Sequence, residues 1–145
     1  VPSATPAKPQ NSEATPIVLD ASATITLLMP PRGPLGLVQL IFTPDHSLHA
    51  PHLLDIEVTQ TIRRFAASGA IDEALASAAL TNLADLPINR YDHLALLPRI
   101  WALRHNLSAY DATYVALAEL LGATLITRDK RLANAAGMRA RVEIV

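Results

Sequence analysis

Ile17, Val18 and Leu19 form an unbroken apolar run that stops at Asp20, and Thr124, Leu125 and Ile126 form a second short strand-like segment that leads into Thr127, Arg128 and Asp129. Short and without polar alternation, both runs predict strands buried on two faces, as in a parallel sheet covered by helices. From His52 the apolar residues Leu54, Val58, Ile62 and Phe65 recur at threes and fours, which predicts an amphipathic helix running toward Ser68 and stopping at Gly69. Further helices are expected over 21–29, 72–84, 94–103 and 108–121, the last closed by Gly122, with a short one over 130–136. Pro98 falls inside the 94–103 helix, either in its first turn or at a kink. The apolar segment 35–42 follows the punctuation of Pro30, Pro31, Gly33 and Pro34, and 47–50, 87–91 and 141–145 are shorter strand candidates. Strands alternating with longer helices predict an α/β fold with a mainly parallel central sheet and helices on both faces.

Composition narrows this frame. The chain has 145 residues, 50% of them apolar and 17% charged, which suits one domain. Four of its 11 prolines lie in residues 1–16, so that stretch reads as a flexible tail ahead of a domain over 17–145, and its lack of an apolar stretch argues against a secretory signal. A formal charge of −1 offers no broad basic surface, so any polyanion must be met by a local patch. The absence of cysteine excludes disulfides, thiolate metal sites and a thiol nucleophile. No apolar run approaches the ~20 residues of a membrane helix, and a cytoplasmic location is the expectation.

The candidate chemistry is acidic. Ligands in open parallel sheets gather beyond the carboxyl ends of the strands, where Asp20 and Asp129 stand. Asp111 lies in the first turn of the 108–121 helix, and Glu57 lies in an otherwise apolar stretch. Hard divalent cations such as Mg²⁺ or Mn²⁺ prefer such oxygen donors. Each acid also has a plainer reading. Asp20 and Asp129 precede helices and suit N-caps, and Ser108 with Asp111 matches a capping box. Glu57 sits about 60° round the helix from Leu54, on the flank of the buried stripe, where a salt bridge would equally serve. Asp55 is its rival, about 200° away, and periodicity does not choose between them.

The segments IVLDASA, APHLLDIEVTQTIRR, LSAYDATYVALAELLGATLITRDKRLA and RVEIV together resemble PIN-domain ribonucleases, especially the VapC-type toxins of bacterial toxin–antitoxin pairs. The resemblance implies a PIN-like α/β/α sandwich and a metal-dependent endoribonuclease in which Asp20, Glu57, Asp111 and Asp129 hold Mg²⁺ or Mn²⁺. It selects Glu57 over Asp55, and places Ser22 and Thr127 as hydroxyls beside the site. It implies an RNA substrate, a homodimer and a cognate antitoxin. The expectation is that the antitoxin lays an apolar helix into the groove near the Leu54, Val58, Ile62 helix and brings an Arg or Lys toward Asp20 and Asp129. An inactive PIN-like module that binds RNA or protein would carry the same acids.

Other features carry less. Arg128 and Arg131 bracket Asp129 and are candidate RNA contacts, whereas Arg63 and Arg64 read as a solvated face. His46, His49 and His52 recur at every third residue, but Pro44 and Pro51 interrupt a shared helix face, and loop or strand polarity is the default over zinc. DASAT lacks the second Asp of aspartyl phosphatase motifs, and no glycine-rich phosphate loop is present. The six aromatic residues, Tyr114 among them, read as core or interface. The helix over 110–121, apolar on more than one face, is either deeply buried or a dimer contact.

Overall fold

Five parallel strands form one sheet in a computed structural model that describes residues 14–30 and 35–145. They are β1 (Thr15–Leu19), β2 (His46–Pro51), β3 (Ile88–Tyr91), β4 (Thr124–Thr127) and β5 (Val142–Ile144), ordered β3-β2-β1-β4-β5. The two runs are therefore central neighbours, with Leu19 opposite Ile126, and the Asp20 N–H continues the ladder onto the Ile126 carbonyl at 3.2 Å. Helices α1 (Ala21–Leu28), α2 (Leu35–Phe42), α3 (Leu53–Ala67), α4 (Glu73–Asp85), α5 (Leu97–Ala102), α6 (Ala109–Leu121) and α7 (Lys130–Ala133) flank the sheet in the expected α/β/α arrangement. Among the described residues, no helix is long and apolar enough to cross a membrane.

β1 begins two residues earlier than the apolar run suggests. Thr15 and Pro16 pair with His46 and Ser47 and so belong to the sheet, not to a tail, whereas residues 1–13 lie outside those described. Pro16 is tolerated because the ladder to β4 starts only at Ile17, leaving Pro16 paired on one side. The expected 94–103 helix divides into a 3₁₀ turn, Leu94–Leu96, and α5, with Pro98 in the first turn of α5, where its missing N–H removes no helical bond. The expected 130–136 helix stops at Ala133, where the Asn134 side-chain amide donates to the Lys130 carbonyl at 2.8 Å and ends the turn.

The core lies where the sheet meets α3 and α6. Seven consecutive residues of α6, Ala112–Ala118, are buried, because this helix packs on β1, β2 and β4 from one side and takes α5 on the other. Its apolar faces serve the core, with Tyr110 and Leu120 left outward. The α3 stripe is likewise used up. Leu54, Val58 and Ile62 are buried in the core, and the large apolar side chain that α3 leaves exposed is Ile56.

Candidate active site

The site is built where β1 and β4 end side by side. Asp20 leaves β1 and caps α1, its Oδ1 accepting from the Ala23 N–H at 2.9 Å and the Ser22 hydroxyl at 2.7 Å. Its Oδ2 accepts from the Thr127 hydroxyl, which closes β4. Thr127 Oγ1 in turn accepts from the Asp129 N–H at 2.9 Å, and Ser22 Oγ from the Arg128 N–H at 2.9 Å. Ser22 and Thr127 thus lock the two strand ends together. Asp129 caps α7 and holds the Arg131 N–H at 2.9 Å and its guanidinium at 3.2 Å. The capping readings of Asp20 and Asp129 are correct, and capping is also what aims both carboxylates past the sheet.

Asp111 arrives from the first turn of α6, capped by Ser108. Glu57 arrives from α3, its Oε1 accepting from the Tyr114 hydroxyl at 2.6 Å. Asp55, on the opposite side of α3, is held by Arg90 through two hydrogen bonds of 2.7 and 2.9 Å. Asp20, Glu57, Asp111 and Asp129 line one open cleft of about 440 Å³, with Ser22, Tyr114 and Arg128. Asp55 is not part of it.

Burial pushes the Asp20 carboxyl above its ordinary pKa, despite the hydrogen bonds from Thr127, Ala23 and Ser22, and the Asp129 charge adds to the rise. Burial also raises Glu57, helped by Asp111 and Asp20 and opposed by the Tyr114 hydroxyl. Asp111 is raised by burial and then by Asp129. Asp129 moves the other way, held low by its hydrogen bond from Arg131. The cleft is therefore a set of carboxylates that repel one another, with the Arg131 guanidinium beside one of them.

Among the described residues, no three His, Asp or Glu side chains form a ready-made metal cage. Mg²⁺ does not need one, because it keeps several waters and is commonly held by one or two carboxylates together with substrate phosphates. A cleft of carboxylates and hydroxyls without sulfur or imidazole fits such an ion, and Asp20 with its carboxylate neighbours could hold it. The histidines stand elsewhere. His49 bonds Tyr91 through Nδ1 at 2.7 Å and Ser47 through Nε2 at 2.8 Å, and burial lowers its pKa, so it serves as a buried polar link between β2 and β3.

Two contacts escaped the sequence reading. Tyr114 looked like any aromatic residue in an apolar helix; the available signal was its spacing of three from Asp111, which puts both on one helix face. The Arg128 guanidinium reaches Thr26 Oγ1 at 3.2 Å, which anchors it beside the cleft, while Arg131 is tied to Asp129.

The PIN domain family model matches residues 17–138. Ribonuclease VapC1 of Mycobacterium tuberculosis is 42% identical over 129 residues, covering 88% of this chain and 96% of that protein. Ribonuclease VapC9 of the same organism is 38% identical over 129 residues, covering 89% and 98%. In fold, the chain is similar to PAE2754 from Pyrobaculum aerophilum, with a TM-score of 0.67 at 24% identity over 93% of this chain and 88% of that one. It is similar also to VapBC2 from Rickettsia felis, with a TM-score of 0.67 at 12% identity over 90% and 99%. The matched span takes in β4, β1 from Ile17 onward and all four carboxylates of the cleft, and this chain belongs to the PIN-domain family, within its VapC-type branch.

Proposed function

We propose that this chain is a metal-dependent endoribonuclease that hydrolyses RNA phosphodiester bonds, the toxin of a toxin–antitoxin pair. The observation that carries the reading is the convergence of Asp20, Glu57, Asp111 and Asp129, from four separate segments, on one cleft. Relatives at 38–42% identity are named ribonucleases, which supports it. Mg²⁺ or Mn²⁺ bound there supplies Lewis acidity toward a phosphoryl oxygen and an acidified water for attack.

The chain's own residues set that chemistry up. Asp20, fixed through both oxygens by Ala23, Ser22 and Thr127, is the rigid ligand. Glu57, Asp111 and Asp129 ligate the ion or orient its waters. Burial and neighbouring charges raise the carboxyls of Asp20, Glu57 and Asp111, which favours entry of a cation. Arg128 stands beside the cleft to meet a phosphate. Arg131 neutralises Asp129, and because its side chain is 90% exposed the pair is readily exchanged for an incoming cation.

The same acidity makes the cleft a target for a basic side chain of an antitoxin, as the VapBC assemblies similar in fold suggest. Leu94, Trp101 and Tyr110, each more than 60% exposed, offer apolar surface for a homodimer. A cytoplasmic location goes with this reading, since the RNA would be the cell's own.

The test incubates the purified protein with structured and unstructured RNA, with Mg²⁺, Mn²⁺ or a chelator, beside Asp20→Asn. Cleavage is expected to follow the metal and to fall by orders of magnitude in the variant. Undiminished cleavage in chelator overturns the reading, and RNA binding without cleavage makes the chain an inactive PIN-like module. Titration with the antitoxin is expected to abolish cleavage at equimolar chains, and light scattering is expected to give twice the chain mass.

A further inference from the structure

Tyr114 is almost fully buried, at 1% exposure, in a run of Ala, Thr, Val and Leu where a phenylalanine would fill the same space. Its hydroxyl is the part that packing does not explain. A buried phenol needs a partner, and this one donates to Glu57 Oε1 at 2.6 Å across 57 residues of sequence. The length is that of a charge-assisted O–H···O⁻ bond.

The bond joins two elements that are otherwise held apart. α3 packs on α1, α4 and β2, whereas α6 packs on α5, β1, β2 and β4, and the two helices make little direct contact. Asp111 and Tyr114 descend from one face of α6 into the cleft that Glu57 enters from α3. Without the bond, Glu57 would be placed only indirectly, through the sheet. Its side chain has three rotatable bonds and faces the Asp20 and Asp111 charges, so repulsion and side-chain entropy would both swing the carboxylate toward solvent. Among the described residues no other hydrogen bond is made to this carboxylate, so the clamp on Oε1 leaves Oε2 available to the cleft.

We infer that Tyr114 is a positioning residue: its hydroxyl tethers Glu57 Oε1 across the cleft and fixes the distance between the α3 and α6 carboxylates, so that Glu57 would be held in place for a cation. The inference rests on the metal-dependent nuclease reading above and adds to it the residue that sets where Glu57 stands. Partners that orient a ligating carboxylate typically matter about 10- to 100-fold in metal affinity or activity.

The experiment uses the full chain and Mn²⁺ alone as probe. Calorimetric titration is expected to show Mn²⁺ binding about 10-fold or more weaker in Tyr114→Phe than in wild type, with the circular dichroism spectrum unchanged. Adding Tyr114→Phe to Glu57→Ala is expected to cost no further affinity, because a tether acts only through the carboxylate it holds. In the metal-free wild type, the Tyr114 hydroxyl proton is expected as a slowly exchanging NMR resonance that Glu57→Ala abolishes. That measurement decides the matter if Tyr114→Phe does not fold. Equal Mn²⁺ affinity in wild type and Tyr114→Phe, a full further loss in the double variant, or a rapidly exchanging hydroxyl overturns the positioning role and leaves the nuclease reading standing. A wild type that neither binds Mn²⁺ nor cuts RNA overturns the reading beneath it.

Discussion

Thr127 donates its hydroxyl to Asp20 Oδ2 from a position 107 residues further along the chain, joining the last residue of β4 to the first residue beyond β1. Both partners are buried, at 0% and 6% exposure. Loss of the hydroxyl would leave a carboxylate oxygen without its partner in a place water reaches poorly. Thr127→Val, which keeps the shape, is therefore expected to destabilise the protein by about 1–3 kcal/mol, read as a lower thermal midpoint, and to reduce RNA cleavage by misplacing Asp20. Thr127→Ser keeps the donor and is expected to recover most of both. A Thr127→Val protein as active and stable as wild type would show that the bond neither supports the fold nor aims Asp20.

Asp55 and Glu57 separate structure from chemistry on one helix. Asp55 is engaged by Arg90 through two hydrogen bonds and lies outside the cleft. Asp55→Asn is expected to cost about 1–2 kcal/mol of stability and to leave cleavage within twofold. Glu57→Gln is expected to do the reverse, lowering cleavage strongly with little loss of stability. Denaturant melts beside a cleavage assay check both, and a large activity loss in Asp55→Asn would transfer the role to the other carboxylate.

The mutual repulsion of the cleft has a pH signature. Asp20, Glu57 and Asp111 have folded pKa values raised above their ordinary ones, by burial first and neighbouring acids second. A raised carboxyl favours the fold while protonated, and that contribution is lost as pH rises through the folded value. The metal-free protein is thus held below its full stability at neutral pH. Asp111→Asn removes one of the charges and is expected to raise the thermal midpoint at pH 7 by a few degrees. The gain should vanish below about pH 4, where the unfolded carboxyl is itself protonated. Mg²⁺ should stabilise wild type more than the variant. A midpoint that falls in Asp111→Asn at pH 7 would contradict the repulsion.

How much of this could be read from residues alone depends on how local each cause is. Asp20 and Asp129 were legible because an acid at or just past the end of a buried strand run is marked by its neighbours in sequence. The distinction between Asp55 and Glu57 was not, since it depends on Arg90 in β3 and Tyr114 in α6, partners 35 and 57 residues away. The α3 stripe was visible, but periodicity could not say that the protein's own sheet and helices would cover Leu54, Val58 and Ile62. The end of α7 at Ala133 depends on one side-chain bond from Asn134, which hydrophobic pattern does not register.

The carboxyl of Glu119 is shifted in the opposite direction from those of Asp20, Glu57 and Asp111. Burial alone would raise its carboxyl, but two hydrogen bonds from Arg99, at 2.7 and 3.1 Å, and one from the Arg139 N–H at 2.7 Å hold it below its ordinary value. Arg99 also donates to the Gly137 carbonyl at 2.7 Å. One carboxylate thereby fastens α5, α6 and the segment leading to β5. A depressed carboxyl stabilises the fold at every pH above the unfolded value of about 4.3, and that contribution is lost as pH falls through the lower folded value. Glu119→Gln leaves the Arg99 guanidinium without its anion and is expected to cost about 1–3 kcal/mol at pH 7, with the gap to wild type closing in acid. Because the tie stands outside the cleft, cleavage per folded molecule is expected to be unchanged. A Glu119→Gln protein whose stability deficit persisted undiminished at pH 2 would show that the loss comes from packing, not from the ionised carboxylate.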